Sequence, residues 1–238
     1  MRDDIDVTFD FRSDTPPDKD PDIFSPTLHR YHQLLWSKPL PCGTRFDLRD
    51  ARPRGYLHHR SDLGEFFLSS DSVVPSFRKE TRLASVFAEI PAEARAEFVG
   101  ATYTIGGMMI FPGNVIERKM TINGARGFHP RIKDRFDLTI ECIRLHYRRE
   151  RSPLADALSR YASFFALFES FRGYINFFLL QDIVTDDYSA VRFHAPFTGI
   201  DQSPLPTSLD AYLAYRRLAM QFLAARNQRI RESVALGA

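Results

Sequence analysis

A chain of 238 residues, 44% hydrophobic and 26% charged, is long enough to enclose a sizeable core and lies outside the disordered, collagenous and disulfide-rich classes. Its formal net charge of +2 is too near balance to give the whole molecule a strong anion-seeking field. The two cysteines, Cys42 and Cys142, stand far apart, which argues against a disulfide framework and a Cys-x-x-Cys metal motif and fits a reducing compartment.

The opening segment to Asp22 holds eight aspartates against Arg2, Arg12 and Lys19, and Pro16, Pro17 and Pro21 punctuate it. It predicts an extended or loosely attached acidic arm over residues 1–24. The segment lacks the apolar stretch of a secretory signal and is too acidic for a mitochondrial presequence, so a cytoplasmic location is expected. Ser25-Pro26 is a helix start, a capping hydroxyl followed by a proline whose fixed φ suits the first turn; Leu28, Tyr31 and Leu35 recur at helical spacing until Lys38-Pro39. In EFFLSSD, Phe66, Phe67 and Leu68 suit a buried strand.

The blocks GGMMIFPGN and VIERKMTING predict two short strands broken at Pro112-Gly113-Asn114, with Asn123-Gly124 a further hairpin-type turn. From Pro130 the period becomes helical, with Phe136, Ile140, Ile143 and Tyr147 on one face. Ser152-Pro153 starts a second helix carrying Leu154, Leu158, Tyr161, Phe165 and Phe168, and Gly173 marks the break before a third running from Tyr174 to about Val184. The apolar run from Phe164 to Val184 contains Glu169 and Arg172, each costing roughly 2.5–3.5 kcal/mol on insertion into a bilayer. A buried helix pair is therefore expected and no membrane partner. A last helix runs from Ser208 onward. Twenty-one Phe and nine Tyr imply a core of large flat side chains. Together these elements predict one α+β domain over 1–238, a small mixed or antiparallel sheet in the N-terminal half packed by a helix-rich C-terminal half.

The densest polar signal lies between Gly106 and Lys133, where glycine-bearing turns feed through Asn123, Arg126 and Gly127 into an expected helix start near His129. Free amides at such a start beside a guanidinium suit a phosphate or carboxylate, so Asn123, Arg126, Gly127 and Asn114 are the candidate ligand-binding residues. Neither the Walker lysine nor the dinucleotide glycine spacing is present, and a plain hairpin with Arg126 paired to a carboxylate accounts for the same residues. His58 and Asp71, in YLHHRSDLGEFFLSSD, are the candidate acid–base pair. No metal set is expected: His29 and His32 lack a third ligand at a recognised spacing, and Asp134 and Asp137 suit a helix start without a cation. No cofactor is indicated. Between Arg126 and Arg151 eight basic residues face four acidic ones, so an interaction protein binding a partner chain or nucleic acid through basic helices is the alternative to a small-molecule protein.

Two resemblances attach to these residues. The segment YLHHRSDLGEFFLSSD resembles the opening strands of ADP-ribosyltransferases, which implies such an enzyme as a remote alternative, although no catalytic glutamate can be placed. FDFRSDTPPDKDPD, LHRYHQLLWSKPLP, EFFLSSDS, GGMMIFPGN, TINGARGF, DRFDLTIECIR and YINFFLLQDIV resemble the successive blocks of an uncharacterised bacterial family of unknown function. That resemblance spans nearly the whole chain and implies a free-standing bacterial cytoplasmic protein, with no catalytic roles attached. It directs attention to Thr121 to Phe128 and Ser69 to Ser72 as the place to seek a site.

Overall fold

In this computed structural model, residues 4–52, 55–197, 199 and 202–237 are described. An antiparallel sheet of four strands occupies the N-terminal half: β1 (Arg49–Asp50), β2 (Tyr56–Ser61), β3 (Gly64–Ser72) and β4 (Met108–Pro112), in spatial order β1-β2-β3-β4. β2 and β3 form a hairpin in which Tyr56 lies opposite Ser69 and Ser61 opposite Gly64, whose φ of 139° a side chain would resist. The period-two alternation is clear in β2, where Leu57 and His59 are buried and His58 is half-buried. β4 is buried at every residue despite lying at the sheet edge, so its unbroken apolar run needs no alternation.

Helices surround this sheet. α1 (Pro21–Phe24) and α2 (Pro26–Trp36) precede it, α3 (Ala84–Ala88) and α4 (Ala92–Thr102) fall between β3 and β4, and α5 (Ile122–Phe128) follows β4. Then come α6 (Phe136–Tyr147), α7 (Ala155–Arg160), α8 (Ala162–Ala166), α9 (Phe171–Phe177) and the 29-residue α10 (Leu209–Gly237). The α+β class, with its sheet N-terminal and its helices mostly C-terminal, is as the residue patterns predict. Ser25 caps α2 by accepting from the Leu28 N–H at 3.1 Å, and its hydroxyl donates to Asp14 at 2.6 Å.

One contiguous core cluster links sheet and helices. Its centre is aromatic: Trp36 meets Phe178 edge-on at 5.3 Å between ring centroids, Phe168 lies 5.0 Å from Phe177, and Tyr174 lies 5.0 Å from Phe178. Such pairs contribute about 0.5–1.5 kcal/mol each beyond area burial. No helix among the described residues is long and apolar enough to cross a membrane. Three arginines, Arg126, Arg135 and Arg226, are buried in this interior. Arg226 has no carboxylate partner among the described residues; its guanidinium donates to the carbonyls of Gly106 (2.9 Å), Met108 (2.9 Å) and Phe178 (3.2 Å), tying α10 to the start of β4 and the end of α9. Burial lowers its pKa to about 10, against the attraction of Tyr174 and Asp182.

Several local expectations are corrected. The segment 115–120 is not a strand: β4 pairs with β3, and Glu117 and Arg118 take left-handed conformations at φ 53° and 57° that break an extended run. Asn123-Gly124 is no hairpin turn but lies in α5, because the Thr121 hydroxyl accepts from the Gly124 N–H and starts a helix there. That helix ends at Phe128, so His129 sits at a C-terminus and the next helix waits until Phe136. Tyr161, at φ −111° and ψ 25°, divides α7 from α8, while Gly173 lies inside α9. The acidic arm is not loosely attached: Ile5, Val7 and Phe11 are buried in the core, and the Phe11 N–H donates to the Tyr103 carbonyl at 3.1 Å.

Candidate functional site

α5 lies across the face of β3 that carries Ser69 and Asp71, and its i, i+3 pair Asn123 and Arg126 reaches both of them. The Asn123 amide donates to Ser69 Oγ at 3.1 Å. Arg126 Nη1 meets Asp71 Oδ2 at 2.5 Å and Asp134 Oδ1 at 2.7 Å, Nη2 donates to the carbonyls of Val73 (3.0 Å) and Asp134 (2.8 Å), and Nε donates to Thr139 Oγ1 (3.3 Å). Of its five N–H groups, four make hydrogen bonds within the chain, and the Asp134 carboxylate lies within ion-pair distance of Nη1. Arg126 therefore fixes the walls of the site.

Beside this centre opens a cleft of about 330 Å³, lined among others by Ser72, Ser76, Arg78, Tyr103, Gly127 and Lys133. A second cleft of about 300 Å³ adjoins it, sharing Ser76, Arg78, Lys79, Glu80 and Val99 and adding Arg95 and Tyr212. The loop between them is anchored from α10, since the Tyr215 hydroxyl donates to the Pro75 carbonyl at 2.8 Å and the Tyr212 hydroxyl to the Ser76 carbonyl at 3.0 Å. Phe77, Lys133 and Asp134 border the first cleft at φ 57°, 47° and 66°, a left-handed backbone that costs about 1 kcal/mol or more at a non-glycine residue. Lys133 pairs with Glu80 at 3.3 Å, whereas Arg78, Lys79 and Arg95 have no carboxylate partner among the described residues.

Two carboxylates stand at the inner edge. Burial pushes Asp71 up to about 7, with the nearby acids Asp134 and Asp20 adding to the rise and Arg126 opposing it. Asp22 is raised well above the usual carboxylate range, first by burial and then by Asp71. Its Oδ2 accepts from the Ser72 N–H at 3.3 Å, and its Oδ1 is sealed from solvent without a hydrogen-bond partner. Both acids are thus shifted upward from the ordinary carboxylate range by their burial.

The structure brings together Asp71, Arg126, Asn123 and Gly127 but not His58. His58 lies opposite Phe67, four residues along β3 from Asp71, a distance of about 13 Å; its Nε2 pairs with Glu65 at 2.8 Å. Asn114 is exposed after β4, and its carbonyl accepts from the Tyr161 hydroxyl at 2.7 Å. Asp137 is separate from Asp134: it pairs with buried Arg135 and accepts from the His194 N–H at 2.8 Å. His32 is buried between Ser70 Oγ (2.9 Å) and the Trp36 indole (3.0 Å), away from any shared ligand with His29. No group of three His, Cys, Asp or Glu side chains among the described residues is placed to share a metal ion. The row of basic residues is interrupted as well, because Arg126 and Arg135 are buried and Arg144 and Arg148 pair with Glu141 and Glu150.

Sequence reasoning missed Asp22, the loop from Ser76 to Glu80 and Arg95. A signal for Asp22 existed: Ile5, Val7, Phe9 and Phe11 alternate with polar residues, the mark of a segment with one buried face. Nothing local marked Arg78 and Lys79, whose setting depends on α4 and α10.

What fold and site define is an α+β protein with a double cleft bordered by cations, built beside a buried arginine paired with two partly exposed aspartates. The chain belongs to a family of unknown function (DUF6994), whose model matches residues 5–230. No curated protein and no solved structure matches it.

Proposed function

We propose that the protein binds a phosphate-bearing or otherwise anionic small molecule in the paired clefts on either side of the Ser76–Glu80 loop. The supporting observation is that Arg78 and Lys79, on a loop held by Arg126, Tyr212 and Tyr215, and Arg95 on α4 line these clefts without an ion pair among the described residues, while Glu80 and Asp134 in the same lining are paired to Lys133 and Arg126. Donors placed in advance lower the cost of binding an anion, because the protein does not reorganise to meet it. In this reading Arg126 acts by holding the cleft wall, Gly127 keeps that wall open, and Asn123 secures α5 to β3. The proposed compartment is the cytoplasm, to which two cysteines free of any disulfide are suited.

Calorimetric titration of inorganic phosphate, a nucleoside triphosphate and a sugar phosphate against wild type and the double variant Arg78→Ala/Lys79→Ala tests the proposal. At least one ligand is expected to bind wild type and to bind the variant about tenfold or more weakly. If none binds, or if both proteins bind alike, the assignment is lost.

A further inference from the structure

Seven large hydrophobic side chains are exposed among the described residues, and three of them, Val115, Met120 and Phe128, fall between residues 115 and 128 at 65%, 56% and 79% exposure. Phe128 is the last residue of α5. With Met120 it borders an open groove of about 550 Å³ against α7, where Pro153, Leu154 and Ala157 supply further apolar surface.

The rim of this groove is positive. Arg118, Lys119 and Arg160 stand there against one acidic residue, Asp156, and burial together with Arg131 holds His129 below the usual histidine range, leaving it neutral near pH 7. Arg118 has no ion pair among the described residues. Arg160 donates to the backbone carbonyls of Asp156 (2.8 Å) and Met120 (2.7 Å), so its charge is oriented but uncompensated. Lys119 pairs with Glu117 at 3.0 Å in full view of solvent, where screening makes such a pair weak.

Clustered apolar side chains rimmed by charge mark a surface used for association. The groove is open along one side and Phe128 is mostly in water, so a small molecule would not be enclosed as small-molecule sites enclose theirs. A second copy of the same surface would set one positive rim against another. We infer that the groove between α5 and α7 docks a short segment of a partner protein in which acidic residues accompany bulky apolar ones. The apolar side chains would pack against Met120 and Phe128, and the carboxylates would meet Arg118 and Arg160.

Fluorescence anisotropy with short labelled peptides of equal length tests this inference. One set combines Glu and Asp with Leu and Phe, a second combines Lys and Arg with Leu and Phe, and a third combines Glu and Asp with Ser and Gly. Members of the first set are expected to bind in preference to both others and to weaken at high salt. Phe128→Asp should reduce that binding by roughly tenfold or more. Arg118→Glu should weaken it too and shift the preference toward the second set. Both residues are exposed, so circular dichroism should show each variant folded, and phosphate binding in the double cleft, whose lining includes neither of them, should be unchanged. No binding by the first set, equal binding by all three, or equal binding by Phe128→Asp would overturn the inference. So would a Phe128-dependent association with anionic vesicles or with itself in the absence of peptide binding.

Discussion

Asp71 joins two demands that pull its pKa in opposite directions. Burial raises it and the Arg126 guanidinium lowers it, and the outcome is about 7. An ordinary carboxyl in the unfolded chain titrates near 3.8. Between those values the folded protein holds a proton that the unfolded chain has released, so stability is greatest at the acid end and falls as pH rises toward 7. Asp22 acts in the same sense. Asp137, held below its usual range by Arg135 and His194 against burial, acts in the other and loses its contribution only as pH falls below about 4. Thermal unfolding of wild type and Asp71→Asn between pH 4 and 7 should show a downward slope in the wild type that is largely absent in the variant. Equal slopes would show that Asp71 titrates as an ordinary acid. The sequence places Asp71 in a polar stretch after a strand, but its burial and its neighbours come from α1, α5 and the 129–135 turn, and spacing within β3 carries no trace of them.

At the scale of elements, α2 and α5 show when a local signal can be trusted. The Ser25 hydroxyl caps α2, donates to Asp14 and is sealed from solvent, so local chemistry and tertiary setting agree. Ser25→Ala should cost about 1–2 kcal/mol in urea-induced unfolding, with the midpoint shifted and the slope kept; a change within error would show that water replaces both bonds. α5 is the opposite case. Asn-Gly is a strong hairpin signal, yet no strand runs into it: Glu117 and Arg118 take left-handed conformations, and the pair itself lies in the first turn of a helix. Thr121 was the available clue, a hydroxyl three residues before the N–H it accepts. β3, β4, α2 and α6 were thus legible in the sequence, whereas the strand expected over 115–120 is absent and β1 carried no signal. The site was legible only in part: Asn123, Arg126, Gly127 and Asp71 do meet, but Arg78 and Lys79 come from a loop without periodicity and Arg95 from α4.

The whole molecule closes its interior with segments far apart in the chain. Ile5, Val7 and Phe11 enter the core from one side of the sequence, and Tyr212, Tyr215, Leu223 and Ile230 enter it from the other. Arg226 and Asn227 on α10 satisfy backbone groups at the start of β4, Asn227 accepting from the Gly106 N–H at 2.7 Å. Deleting residues 1–11 should therefore destabilise the protein by several kcal/mol, since each buried large apolar side chain contributes about 1.5–3 kcal/mol. Chemical denaturation measures this directly, and a midpoint equal to that of the full chain would show the segment to be dispensable.

Because Arg226 of α10 supplies the donor for the Gly106 and Met108 carbonyls at the entry to an edge strand that is apolar at every position, a ribosome must reach α10 before that entry can be closed. Until then those two carbonyls lack their donor, at the end of a strand whose outer edge is open to pairing with other chains. Chaperone demand for this protein should consequently peak late in translation, and nascent chains arrested before α10 should be cut by protease where finished ones resist.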